Sequence, residues 1–327
     1  MSDVLGLAAQ NLLSPMVLFF VLGLLAALSK SDLAVPEAIA KGIALYLMMA
    51  IGFKGGVQVA VSGVDLRMGG AILGGIALSV IIPVVAFFIL RVTSSLSAID
   101  AAATAAHYGS ISIVTFIAGT QALQSMKVAY EGYLVAVAAS MEAPAIVIAL
   151  LLARRYSRSA DDEPLGRVLR EVAGNPSIVM LVGAFVIGWI TGARGNDMIK
   201  PFIADLFLGV LCLFLLDMGL IAGRGMRAGR RYLTAPVIAF ALYMPLISAA
   251  LALPLALMVG LSAGGAALLM TLAASASYIA VPAAMRLALP QANASIYLTL
   301  SLGVTFPFNL MLGIPIYVWI AQAAIGS

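Results

Sequence analysis

Leu272-Ala-Ala-Ser-Ala-Ser-Tyr-Ile-Ala-Val-Pro-Ala-Ala284 decides how this chain is read. Apolar sequence flanks it on both sides, which predicts a membrane-embedded helix, yet Ser275, Ser277, Tyr278 and Pro282 fall close together inside it. Hydroxyls and a proline there predict an interrupted helix. Backbone groups freed at a break are tolerated in hydrocarbon only where protein, water or a ligand satisfies them. An earlier stretch, Ala105-Ala-His-Tyr-Gly-Ser-Ile-Ser-Ile-Val-Thr-Phe116, has the same character. Two interrupted segments at matching places in two halves of a chain point to the binding site of a secondary transporter.

The surrounding composition sets the class. Hydrophobic residues make up 63% of the 327 and charged residues 10%, with a mean hydropathy of +1.11. So few charges cannot cover a soluble surface of this size, and apolar runs of about 20 residues, enough to cross a bilayer, recur from end to end. The expected fold is an all-α polytopic membrane protein with about ten transmembrane helices, near 12–30, 37–60, 69–91, 98–122, 131–156, 175–193, 200–223, 232–259, 263–287 and 293–323. Helices four and nine are expected to be broken, and a bend is expected at Pro307 in the last. The first run lacks a basic n-region and a small-residue cleavage site, so it reads as a retained helix rather than a signal peptide. Cys212 is the single cysteine, which excludes an intrachain disulfide and reads as a small buried hydrophobe.

The most polar interval runs from Arg154 to Asn175 and leaves five segments on each side. The expected division is therefore 1–156 as a first five-helix repeat, 157–174 as a cytoplasmic linker and 175–327 as a second repeat. A second basic loop, Arg224-Gly-Met-Arg-Ala-Gly-Arg-Arg231, joins segments seven and eight. If segments alternate in direction, both loops share one side, and the excess of Lys and Arg assigns that side to the cytoplasm. Lys54, Arg67, Lys127, Arg194 and Lys200 fall on the other side. Both termini are then extracytoplasmic, in a bacterial cytoplasmic (inner) membrane. The net charge of +4 follows from such loops and needs no nucleic-acid partner. Five segments per half make the second half an inverted copy of the first. Local echoes support this: Ser14-Pro15 with Asn175-Pro176, Met49 to Gly55 with Asp217 to Gly223, and Tyr133 before Pro144 with Tyr297 before Pro307.

At Gly109-Ser110-Ile-Ser112 and at Ser275-Ala-Ser277 the half-helix N-termini would point N–H donors into the protein. Each terminus carries about half a positive charge, so two make an anion site without Lys or Arg. The bland alternative is that these serines bond to the preceding turn and merely bend packed helices. Glu142, near the middle of its segment, is expected to face a partner or water and to hold a coupling cation or a proton; otherwise it caps backbone freed by Pro144. Asp217 either has a comparable role or pairs with Arg224 or Arg227. His107, the one histidine, senses protons or is simply packed and hydrogen-bonded. Gly55-Gly56, Gly69-Gly70, Gly74-Gly75 and Gly264-Gly265 are expected to allow close helix packing. No nucleotide loop, HExxH or nucleophile elbow is present, so the chain does not read as an enzyme.

Over nearly its whole length the chain resembles the sodium-dependent bicarbonate transporters best known from cyanobacteria. The resemblance runs through Val35-Pro-Glu-Ala-Ile39, Tyr130-Glu131 and Glu142-Ala-Pro-Ala145, and is clearest from Ala273-Ala-Ser-Ala-Ser277 to Leu289-Pro-Gln-Ala-Asn-Ala-Ser-Ile-Tyr297. It implies a ten-helix protomer of two inverted five-helix repeats, commonly a trimer, with bicarbonate and sodium meeting where the broken helices cross. It also implies a soluble PII-like regulator at the cytoplasmic face. Ser112 and Thr115 match the ends of the family's Ser-Gly-Ser-Thr break, with Ile113 and Val114 between them. Ser275 and Ser277 match serines, Tyr278 stands where the family has Asp, and Glu142 stands at a family Asp.

The expected function is secondary active transport of a small anion, bicarbonate by resemblance, coupled to sodium. Gly109, Ser110, Ser112, Ser275 and Ser277 would hold the anion. Glu142, with Thr115 and Tyr278, would hold the cation. No cofactor or metal is expected beyond sodium as coupling ion. The alternatives are transport of another small carboxylate or anion, coupled to sodium or to protons through Glu142 or His107, and a non-transporting membrane sensor or scaffold that keeps the fold.

Overall fold

A computed structural model describes residues 13–156, 166, 170, 174, 176–229, 233–278 and 280–326. The described residues form helices and no strands. Apart from residues 166, 170 and 174, the expected linker 157–174 lies outside them, as does Asn175.

Serines and prolines set the helix starts. Ser14 accepts the Val17 amide (3.4 Å) and Pro15 opens α1 (Pro15–Leu28), a first turn in which proline's missing N–H costs nothing. Next come α2 (Glu37–Ser62), α3 (Leu66–Thr93), α4 (Ala98–Gly109), α5 (Ile113–Ser125) and α6 (Leu134–Tyr156). The second half has α7 (Pro176–Lys200), α8 (Phe207–Gly229), α9 (Ala235–Val259), α10 (Ala263–Ala274), α11 (Ala280–Ala288) and α12 (Ala294–Ile325). Among the described residues, eight segments are long and apolar enough to cross a membrane, counting α4 and α5 together as one. The chain is thus a polytopic membrane protein. The 14-residue α1 covers only about 21 Å at 1.5 Å per residue, and α10 is shorter still.

Two expected boundaries shift for local reasons. The segment expected at 175–193 continues to Lys200, kinking at Gly192, whose φ of 56° and ψ of −147° suit glycine. A wide π turn at Pro201–Asp205 then leads into α8. In α12 the bend expected at Pro307 is taken up by π-helical stretches on both sides, Thr299–Thr305 and Asn309–Gly313.

Packing sorts the helices into two groups. α1 lies along α8 and α2 along α7, and these four form one panel. The other helices form a second body in which α3 packs on α4 and α6, α9 packs on α10, and α4 and α10 pack on α6 and the end of α12. Close helix approach holds the panel together. A Cβ on Gly56 would overlap the Phe185 carbonyl of α7, and one on Gly219 of α8 would overlap that of Phe20 in α1. The expected glycine pairs therefore differ among themselves: Gly55, Gly56, Gly75, Gly264 and Gly265 sit against neighbours, whereas Gly69 faces open space.

Reciprocal clamps tie the loops to the broken helices. Glu131, before α6, accepts from the Ser262 amide (2.7 Å) and hydroxyl (3.0 Å) at the start of α10. Asp100, in the first turn of α4, accepts from the Asn293 amide (2.8 Å) ahead of α12. In each case a carboxylate lies at a helix N-terminus, where the positive end of the dipole favours it.

Pro144 removes one amide from α6, and the repair comes from α3. The Ser79 hydroxyl donates to the Met141 carbonyl and accepts from the Ala145 amide (3.1 Å). Ser79, not Glu142, therefore satisfies the backbone loosened by Pro144. Since Ser79 is fully buried, Ser79→Ala should leave two backbone groups unsatisfied and destabilise the fold by about 2 kcal/mol. The expected readout is a lower melting temperature of the solubilised protein; an unchanged one would reject the bridging role.

Candidate functional site at the crossing of the two breaks

Both predicted interruptions are present, and they meet. α4 stops at Gly109 and α5 restarts at Ile113, while α10 stops at Ala274 and α11 begins at Ala280. Ser110, Ser112 and Ser275 have extended backbone. The Ser112 amide donates to the Ser275 hydroxyl (2.8 Å), and the Ser277 amide donates to the His107 carbonyl (2.7 Å). The two extended pieces therefore run antiparallel past each other. Every group in these bonds is buried, which answers the requirement that freed backbone be satisfied in hydrocarbon. Asn309 completes the second break: its side-chain amide donates to the Ala274 carbonyl (2.8 Å) and its oxygen accepts from Tyr317 (2.8 Å).

A small cavity of about 20 Å³ opens beside this crossing, lined among others by Ser112, Ser277, Tyr278 and Glu142 from the second body and by Met48 of α2 and Leu181 of α7 from the panel. That is the room of about one buried water or a bare monovalent ion. It lies where the two groups of helices face each other. Glu142 is only 8% exposed. Ser110 donates to one of its oxygens, and among the described residues no Lys, Arg or His nitrogen lies within 4.0 Å of it. An intramembrane carboxylate with no protein cation beside it is a strong pointer to function. The Tyr278 hydroxyl is buried and has no hydrogen-bond partner among the described residues.

The eight residues singled out from sequence separate into roles. Ser112, Ser277, Glu142 and Tyr278 line the cavity. Ser110 and Ser275 stand behind it, one bonded to Glu142 and the other bridging the breaks. Gly109 is a packing position, because a Cβ there would come within 2.6 Å of the Pro83 ring of α3. Thr115 is buried in the first turn of α5 and is not among the residues lining the cavity, and its hydroxyl has no partner among the described residues. His107 is packed: its ring bonds the Ala103 carbonyl (2.7 Å) and stacks on Tyr297 at 4.3 Å. Among the described residues Asp217 makes no ion pair within 4.0 Å; Arg224 and Arg227 instead donate to the Leu33 and Ala27 carbonyls. Ser79 and Asn309 are the two that residue-by-residue reading misses. Asn309 leaves a signal, as a side-chain amide inside an apolar run two residues past Pro307; Ser79 leaves none.

Wider cavities approach the site from both faces. On the face carrying the Glu37 end of α2 and Arg224, one of about 700 Å³ reaches Tyr278, which also walls the small cavity. On the opposite face a cavity of about 280 Å³ reaches Ile51 and Phe116. A tyrosine ring thus separates the centre from one side, and an isoleucine and a phenylalanine stand towards the other.

No individually curated protein matches the chain. A family model does, and it covers residues 15–322 of the 327, both breaks and the Glu142 segment included. On that match, the chain belongs to the Na+-dependent bicarbonate transporter superfamily.

Proposed function

We propose that this protein is a sodium-coupled symporter that takes up bicarbonate. The observation that carries the proposal is the pairing, in one cavity, of Glu142 with the start of α5 and the serines of the two breaks. Ser112 caps the Thr115 amide (3.2 Å), which leaves the first amides of α5 to face an anion with the positive end of the helix dipole behind them. Ser277 adds a hydroxyl from the other break. Glu142 and the Tyr278 hydroxyl hold the sodium ion, whose charge offsets that of the bound anion. The closed cavity accepts a particle the size of sodium; an oxyanion of four heavy atoms requires its walls to part. Movement of the panel against the second body supplies that opening and exposes the site to each side in turn.

In this reading the chain has ten spans in two inverted repeats, 1–156 and 175–327. The matched pairings support it: the first helix of each half lies along the second helix of the other, and each broken helix is clamped by a loop of the other half. The basic loops face the cytoplasm across an inner membrane, with the termini outside. Assembly as a trimer, and a PII-like regulator on the basic face, belong to the same proposal.

The test is uptake of labelled bicarbonate into proteoliposomes. An inward sodium gradient should raise the initial rate by about tenfold, within the usual range of coupling between two ligands. Uptake driven by a proton gradient alone would reassign the coupling to protonation of Glu142. No uptake by folded protein would reject the proposal and leave a transporter of another small anion or a non-transporting membrane protein of the same fold.

A further inference from the structure

Lys54 lies about two turns before the Ser62 end of α2, within the membrane-spanning helix and away from the crossing of the breaks. An ammonium in a membrane-spanning helix is costly to keep and normally faces a partner or a water-filled cavity. Among the described residues the one ion pair within 4.0 Å joins Lys41 to Glu37, so Lys54 has none. Its amine sits 4.7 Å above the Phe207 ring, and Asp205 acts on it only from beyond ion-pair reach. What it faces is the 280 Å³ cavity, which it lines together with Gln58, Thr120, Gln121, Gln124 and Asn196. Apart from Lys54, no charged residue among those described lines it. Thr120 spends its hydroxyl proton on the Ile117 carbonyl (2.8 Å), while Gln121 donates one N–H to Gln124 (3.2 Å) and Gln124 one to the Tyr130 hydroxyl (3.0 Å). Each of these two amides has a second N–H, beside the one ammonium of a polar, singly positive pocket.

Its place relative to the centre is set by helix periodicity. Along α2, Met48 lines the central cavity, while Ile51, Lys54, Gly55 and Gln58 line the other. Along α5, Ser112 and Ile113 belong to the centre, and Phe116, Thr120, Gln121 and Gln124 to the other. Steps of three and four residues keep each series on one helix face. Lys54 therefore stands about 9 Å from the level of Met48, with Ile51 and Phe116 between.

We infer that this cavity is a second, outer binding site for a small singly charged oxyanion, in which Lys54 supplies the charge and the amide side chains orient the oxygens. The inference rests on the anion-transport reading for its choice of ligand. Among the described residues no basic side chain lines the central cavity, so the outer site would gather the anion from dilute solution and hold it one barrier away.

Two measurements on the full-length protein test this, with bicarbonate as probe. In proteoliposomes, Lys54→Gln should raise the half-saturating bicarbonate concentration about tenfold while the maximal rate stays within about twofold. One charge-assisted hydrogen bond is worth that much. Lys54→Arg should stay near wild type. Unchanged half-saturation in Lys54→Gln, or a fall in maximal rate alone, would overturn the proposal. The second measurement is independent of transport: thermal melting of solubilised protein in sodium bicarbonate against sodium gluconate at equal sodium. In a Ser112→Ala/Ser277→Ala protein, whose central site is impaired, bicarbonate should still raise Tm, and adding Lys54→Gln should remove the rise. A rise that depends on Lys54 in a protein that transports no bicarbonate would keep the site and reject the transport reading. Absence of any rise, or a rise indifferent to Lys54, would reject the site. If Lys54→Gln does not fold, Lys54→Met, which keeps the stem over Phe207, carries the same expectations.

Discussion

Replacing Glu142 by Gln is expected to lower sodium-driven bicarbonate uptake by about 100-fold or more, without unfolding the protein. Removing one partner of a buried charge contact costs about 3–5 kcal/mol, and each 1.4 kcal/mol is tenfold in affinity. The glutamine keeps the shape and still accepts the Ser110 hydroxyl, so the packing of α6 against α3 and α4 should survive. Melting is the control. With no protein cation within 4.0 Å among the described residues, removing the carboxylate should leave Tm unchanged or higher in sodium-free buffer. Sodium, which should raise Tm in the wild type, should no longer do so. Uptake that persists at the wild-type rate in Glu142→Gln, with its sodium dependence intact, would remove Glu142 from the cation site.

The second large effect is structural. Gly56→Leu is expected to prevent accumulation of folded protein. A Cβ at Gly56 would overlap the Phe185 carbonyl and come within 2.7 Å of the Trp189 amide, and both are backbone groups of α7 that cannot rotate away. Gly52 and Gly188 are nested in the same seam, against the Leu181 and Phe53 carbonyls, so α2 cannot slide to make room. Overpacking of this kind costs upwards of about 3 kcal/mol when the neighbour is fixed. Gly42, on the same helix, faces open space, with nothing within 4 Å of where a Cβ would stand. Gly42→Ala should be neutral or stabilising by up to about 1 kcal/mol, the helix preference of alanine over glycine. Monodispersity of the solubilised protein, compared between the two variants, is the measurement. Equal behaviour would mean that the α2–α7 seam is not what holds the panel together.

Much of the site is legible in residue types because its chemistry is local. Ser112 and Ser275 stand at helix ends, and a hydroxyl at a break in an apolar run announces unsatisfied backbone wherever it occurs. Glu142 announces itself by the cost of a carboxylate in mid-span. Local reading fails where it has to supply a distant partner. Glu142 is the nearest polar group to Pro144 in sequence, but the repair of the backbone there comes from Ser79, 66 residues before the amide it accepts. Thr115 fits a cation ligand by its match to a motif, yet it is not among the residues that line the cavity. Gly109 groups with the anion ligands by position, although Pro83 explains its lack of a side chain.

From the sequence alone come the membrane class, the two interrupted helices, their serines and the central acid. These follow from the partition of apolar chain into lipid and from what proline, glycine and hydroxyls do to the helix they sit in, which depends only on near neighbours. Tertiary structure alone decided that the breaks run antiparallel and bond to each other, that Met48 and Leu181 of the panel close the cavity, and that Lys54 opens onto a polar chamber of its own. Those facts depend on contacts between residues far apart in the sequence, such as the Ser112 amide and the Ser275 hydroxyl, 163 positions apart. No local preference encodes them; only the packing of helix on helix selects which distant groups meet.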